Sequence, residues 1–338
     1  MVKKTLKILF NVIFVVLVFY FILHDHYHEI VFSLKQLTFL DFCFLVVCGL
    51  IFFMLDAFAH CQVIRPFVHK RRWIISLELV SLNNFFNATT SSMGTIPFQS
   101  YYLKKNNIPY SKGVSSMFLN MIFHKIAVCI NALVMFLFSY SWLMKNPDMN
   151  IYIGLGFGLN FLIIVGLIVF IFWHKTEWIF VQLSKLFKKE DTRKEMQQLA
   201  DNAQSQLANI HQDLVALLAH GIKVMWLCAI PYFCLAVLHE TSLGFTKIYT
   251  LSSLAYIIAS SLPNVAGIGP LEYAYLVLFS YYISGSASSA SLLLYRIFSF
   301  YLLFVISTFV FMHLKKILWT DEKREGDFLE SVDENVNF

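Results

Sequence analysis

Charge is what this sequence has least of. Only 14% of its 338 residues are Asp, Glu, Lys or Arg, against about 25% in an ordinary soluble domain, which excludes a string of soluble domains. The six cysteines, Cys43, Cys48, Cys61, Cys129, Cys228 and Cys234, include no CxxC pair and read as buried structural thiols rather than a redox or metal centre. No HExxH, P-loop, dinucleotide-binding glycine pattern or nucleophile elbow occurs, so the chemistry those motifs carry has no sequence support. His24, His26 and His28 alternate beside Asp25 and Glu29 and read as a short polar loop. No metal and no cofactor is expected. No small-residue cleavage site follows the first apolar run, which therefore reads as a retained helix rather than a signal peptide.

What is abundant is apolar surface: 58% of the residues are hydrophobic and 35 are Phe. Six runs, Leu6–Leu23, Phe39–Ala59, Val114–Phe138, Ile151–Trp173, Leu214–Leu238 and Ala287–Met312, are each near the ~20 residues that cross a hydrocarbon core ~30 Å thick. The fold class is all-α and polytopic, with about six transmembrane helices.

Two further apolar stretches, Trp73–Leu103 and Ile248–Tyr282, are interrupted. The second contains Pro263, Asn264, Gly267, Gly269 and Pro270 and then Glu272. A helix cannot break where it faces lipid, because unpaired backbone groups there cost several kcal/mol, so such a break belongs inside protein or beside a water-filled cavity. Ten residues at each break correspond: GTIPFQSYYL over Gly94–Leu103 and GIGPLEYAYL over Gly267–Leu276, with Pro97 and Gln99 standing where Pro270 and Glu272 stand. One isolated cation follows each break inside an apolar run, Lys125 and Arg296. The chain reads as two related halves, each with a broken helix and a buried cation.

The basic residues set the topology. With the N-terminus inside, six crossings, and both broken stretches returning to the side they entered, 20 of the 26 Lys and Arg fall on the cytoplasmic side and three in outer loops, in keeping with the positive-inside rule. A full crossing at the first break would put Lys104, Lys105 and Lys112 opposite Arg71 and Arg72. Re-entrant hairpins in an inverted-topology repeat are therefore expected, a plan that secondary transporters use around a midplane site. Residues 1–316 form one integral membrane domain, with a cytoplasmic amphipathic helix at about 188–214 marked by Met196, Leu199, Ala203, Leu207, Ile210 and Leu214. An acidic tail over 317–338 is expected to be disordered, and both termini are expected in the cytoplasm.

Arg296 and Lys125 lie too deep in their runs to reach the interface easily and are expected to face the interior. They either hold an anionic head group, helped by helix N-termini at the breaks, or Arg296 pairs with Glu272 as a strut, and both can hold together. Lys223, nearer a helix end, reads as a snorkelling residue. Asp56 and Glu78 either pair structurally with a cation such as Lys125, the favoured reading, or carry a coupling proton. Asn83, Asn84, Asn87, Thr89, Thr90, Ser91 and Ser92 line the approach to the first break and are expected mainly to satisfy backbone freed there.

The runs MGTIPFQSYYLKKNNI, LPNVAGIGPLEYAYLVLF and YRIFSFYL resemble the lysylphosphatidylglycerol synthase transmembrane-region family, the flippase-like membrane domain of the multiple peptide resistance factor and its stand-alone relatives. The likeness spans about Lys4 to Lys316. The family's first-break Gly-Gly-x-Pro-x-Gln stands here as Gly94, Thr95, Pro97 and Gln99, without the second glycine. Its second-break pattern stands as Pro263, Ala266, Gly267, Gly269 and Glu272, with Ala266 for a glycine. The resemblance implies a lipid translocase of the cytoplasmic membrane, moving a phospholipid such as lysylphosphatidylglycerol or a polyprenyl-phosphate lipid. The implied substrate site comprises Gly94, Pro97, Gln99, Lys125, Asn264, Gly267, Gly269, Glu272 and Arg296. In full-length relatives a soluble domain transfers lysine to the lipid, and no such domain is expected here. The alternatives are a membrane-embedded lipid-modifying transferase or a scaffold for a cell-envelope enzyme. An envelope-enzyme partner and a homodimer stay open, and no nucleic acid is expected.

Overall fold

The computed structural model describes residues 34, 35, 37–90, 94–146, 149–172, 201, 202, 205, 207, 210–262 and 269–315. The run at Leu6–Leu23, the histidines at 24, 26 and 28, most of the amphipathic segment at about 188–214, and the tail over 317–338 lie outside them. So do Ser91, Ser92, Pro263, Asn264 and Gly267.

Among the described residues five helices are long and apolar enough to cross a membrane: Phe39–Val63, Tyr110–Phe138, Met149–Leu167, Ile210–Val237 and Gly285–Lys315. These coincide with five of the six expected runs. The protein is a multi-pass helical membrane protein. Phe39, Leu137, Phe138, Phe161 and Leu162 project from the bundle, which suits a hydrocarbon surrounding and not water.

Helix α1 (Phe39–Val63) starts at a capping box: the Asp41 amide donates to Thr38 Oγ1 at 3.2 Å and the Thr38 amide to Asp41 Oδ2 at 3.0 Å, satisfying two of the N–H groups that every helix start leaves open. Two helices follow with a break between them, α2 (Arg72–Thr90) and α3 (Thr95–Lys105). They run antiparallel, since Phe86 stacks on Phe98 with ring centroids 4.0 Å apart while Gln99 Nε2 donates to the Leu79 carbonyl at 2.9 Å. Tyr102 closes the far end by donating to Glu78. At 11 residues, α3 is only ~16 Å long and cannot cross a ~30 Å core.

After α4 (Tyr110–Phe138), the single turn α5 (Tyr140–Leu143) and α6 (Met149–Phe172) comes α7 (Ile210–Val237), the central element, which packs on α1 and α4. The second broken pair is α8 (Gly244–Ser261) and α9 (Pro270–Ser280), which pack against each other. It repeats the proportions of the first pair, a helix of 18 residues followed by one of 11. Helix α10 (Gly285–Arg296) runs directly into a π-turn over Ile297–Tyr301 and continues helically to residue 315. In that turn the Leu302 amide donates to the Ile297 carbonyl five residues back.

The π-turn meets α1 at Gly49. A Cβ there would lie 2.2 Å from the Phe298 carbonyl oxygen, whereas one at Gly154 would meet nothing within 4 Å. Gly49→Ala is therefore expected to lose about 1–3 kcal/mol through forced separation of the two helices. Gly154→Ala should be neutral or gain roughly 0.5–1 kcal/mol. Thermal unfolding of the detergent-purified protein checks both; an unchanged midpoint for Gly49→Ala would contradict the close approach.

Candidate functional site

Each break is closed locally by polar groups. At the first, the Thr90 hydroxyl donates to the Phe86 carbonyl at 2.7 Å and accepts the Gly94 amide at 2.9 Å. Thr90 thus carries the hydrogen bonding across the interruption, as expected of the polar residues there. Pro97 sits in the first turn of α3, where a missing N–H costs nothing, and its ring is exposed. At the second break Gly269 holds φ 117°, a conformation open to glycine and disfavoured for other residues. Pro270 then opens α9, and Glu272 Oε2 accepts the Gly269 amide at 2.7 Å.

The other oxygen of Glu272 reaches a different helix: Oε1 lies 2.5 Å from Arg296 Nε, and both side chains are buried. Glu272 thus caps its own helix and ties it to α10. The guanidinium carbon of Arg296 lies 5.5 Å from the Phe300 ring centroid, within cation–π range. The strut reading of the sequence is what the structure contains.

Between the two broken pairs lies a cavity of about 370 Å³, within the range of small-ligand sites. Thr95 and Gln99 line it from the first pair, Leu262 and Pro270 from the second, and Lys125 and Arg296 from α4 and α10. Gln99, Lys125 and Arg296 thereby line one space. Glu272 stands behind Arg296 and, like Gly94, Pro97 and Gly269, is not a lining residue. Asn264 and Gly267 lie outside the described residues.

Lys125 does not pair with Asp56 or Glu78, the acids considered for it. Its ammonium donates to the Ser260 carbonyl in the last turn of α8, where unsatisfied carbonyls carry partial negative charge. The cation chosen by Asp56 is a correction to the sequence reading: Lys223 Nζ lies 3.1 Å from Asp56 Oδ1, with Lys223 buried instead of snorkelling. Burial of a lone ammonium is costly without a partner, and the partner comes from α1, 167 positions away in sequence.

Around this pair sits a polar cluster that sequence reasoning missed. His60 Nδ1 is 3.3 Å from Asp56 Oδ1, Asn120 Nδ2 is 3.2 Å from His60 Nε2, and Tyr256 lies 3.2 Å from His124 Nε2. His220 is buried beside His124, with neither ring nitrogen partnered among the described residues. Asp56 with His60 and Asn120 with His124 are spaced i, i+4 inside apolar runs, so they share helix faces. That spacing was the available signal. No group of three His, Cys, Asp or Glu among the described residues is placed to hold a metal ion.

The family model described as the lysylphosphatidylglycerol synthase TM region matches residues 8–307. No curated protein and no solved structure matches the chain.

Proposed function

The chain belongs to the lysylphosphatidylglycerol synthase TM-region family, and from that membership and the cavity we propose that it is a lipid translocase of the cytoplasmic membrane. The observation that carries this reading is the enclosure of Gln99, Lys125 and Arg296 in one cavity bounded by both broken helix pairs. The short helices α3 and α9 would enter the bilayer from opposite sides as re-entrant hairpins of an inverted repeat, with both termini cytoplasmic. Non-helical backbone at membrane depth is tolerated beside such a polar space. The lipid head group would occupy the cavity while the acyl chains remain in the bilayer. Lys125 would meet the lipid phosphate, since its own hydrogen bond goes to a neutral carbonyl and a phosphate oxygen is a stronger acceptor for an ammonium. Gln99 would stand near the rest of the head group, and Glu272 would act by holding Arg296.

The test is leaflet accessibility of labelled lipid in proteoliposomes. The parent protein is expected to expose inner-leaflet lipid to an external quencher faster than protein-free vesicles do. Lys125→Ala is expected to slow this at least tenfold, with Lys125→Arg retaining much of the rate. Equal rates in parent and Lys125→Ala, both shown folded, would overturn the phosphate assignment. A new lipid species on expression, with unchanged leaflet distribution, would favour the transferase alternative.

A further inference from the structure

The charges around the cavity are unequal in a way that bears on the head group. The described lining contains the cations Lys125, Lys223 and Arg296 and one acid, Asp56. Asp56 is committed to Lys223 and His60. Glu272, behind the wall, is committed to Arg296 and the Gly269 amide. Lys125 has no carboxylate in ion-pair range among the described residues, and its hydrogen bond goes to a neutral carbonyl. Neither break adds a charge, because residues 91–93 and 263–268 contain no ionisable side chain. Among the described residues the Asp, Glu, Lys and Arg side chains of the lining and of the wall behind it therefore leave about one positive charge uncompensated.

Beside these charges the polar lining holds the rings of His60 and His124 and a set of amides and hydroxyls. Asn83, Asn84, Thr95 and Gln99 come from the first pair. Asn84 Nδ2, the Thr95 hydroxyl and Asn120 Oδ1 are buried with no hydrogen-bond partner among the described residues. A buried polar atom left unpaired costs about 1–3 kcal/mol, so a set of them bordering one cavity points to a ligand that supplies both donors and acceptors. Hydroxyl groups do this, since each donates one hydrogen bond and accepts others. An ammonium only donates, and among the described residues it would meet cations and no uncommitted carboxylate.

We propose that the cavity selects a lipid whose head group is one phosphodiester esterified to an uncharged, hydroxyl-bearing alcohol, as in phosphatidylglycerol, and discriminates against the cationic aminoacylated form. The phosphodiester's single negative charge matches Lys125, and the hydroxyls complete Asn84 and Thr95. The transport arm of this inference rests on the translocase reading, whereas the binding arm rests on the cavity alone.

The experiment is competition binding by native mass spectrometry of the full chain against phosphatidylglycerol, lysylphosphatidylglycerol, phosphatidylethanolamine and phosphatidic acid, with leaflet assays on the same panel. Phosphatidylglycerol is expected to bind at least tenfold more tightly than its lysyl ester. Lysylphosphatidylglycerol binding as well or better would overturn the inference, and so would no binding by any lipid. Phosphatidic acid binding as tightly as phosphatidylglycerol would overturn the hydroxyl assignment. Asn84→Asp places a carboxylate among the neutral groups and is expected to shift the preference at least tenfold toward the lysyl form; an unchanged preference in folded protein would count against the placement. Should that variant fail to fold, the parent panel decides by itself. Selective binding without movement would sink the translocase reading and leave the head-group assignment standing. Equal movement of both forms would do the reverse.

Discussion

Arg296→Met is expected to cost the protein about 3–5 kcal/mol, the range for removing one partner of a buried ion pair. The loss is not that of a favourable contact alone. Glu272 would remain buried with its charge uncompensated, still accepting the Gly269 amide but with Oε1 facing no cation. The affected junction joins α9 to α10, so the second broken pair should loosen first. The double variant Glu272→Gln/Arg296→Met is expected to recover most of the loss, because glutamine can still cap Gly269 and no charge is left buried. Thermal unfolding of the parent, both single variants and the double variant measures the coupling directly. Additive losses would mean that the two groups do not depend on each other.

Asp56→Asn is expected to be of similar severity for the same reason, about 3–5 kcal/mol, because it strands Lys223 among buried neighbours. Asp56 belongs to α1 and Lys223 to α7, the helix pair at the centre of the bundle, so this loss should lower the cooperativity of unfolding as well as its midpoint. Here too a paired replacement, Asp56→Asn/Lys223→Met, should return most of the stability. It removes one charge of each sign and so leaves the net charge of the cavity unaltered. The double variant is therefore expected to keep its lipid preference, unlike Lys125→Ala. Loss of that preference in a stable Asp56→Asn/Lys223→Met protein would show that the pair meets the lipid itself.

The contrast between these two pairs shows how much was legible in the sequence. Glu272 and Arg296 could be associated because each was an isolated charge in an apolar stretch beside the same break. The helix interruptions were legible for a similar reason: Pro and Gly in a membrane-length run contradict the surrounding pattern. The partner of Lys223 was not legible. Its position suggested a short reach to the interface, and only the packing of α7 against α1 closes that route and offers Asp56 instead. His60, Asn120, His124 and His220 were likewise hidden, since a lone polar side chain in an apolar run gives little sign of which neighbour it faces. The π-turn after Arg296 leaves no composition signal either, although Gly49 on the opposite helix marks the place where its carbonyl must fit.

The cavity itself was legible only in part. The sequence supplied Gln99, Lys125 and Arg296 as interior groups, but it could not show that α3, α4, α8 and α10 bring them to a single space. Nor could it show that Glu272 would be drawn behind the wall by its double role at Gly269 and Arg296. From there Glu272 still neutralises Arg296, so the uncompensated charge among the described lining residues is that of Lys125.

Central to the account is that lipid passes through this cavity, and the most direct test is to fill it. Ala259 lines the cavity on α8 and is half-buried, so Ala259→Trp places an indole where the head group would pass without altering any charge. In proteoliposomes containing folded Ala259→Trp protein, leaflet exchange of labelled phosphatidylglycerol is expected to fall at least tenfold below the parent rate. Exchange at the full parent rate would contradict the account, because the head group would then be taking another route.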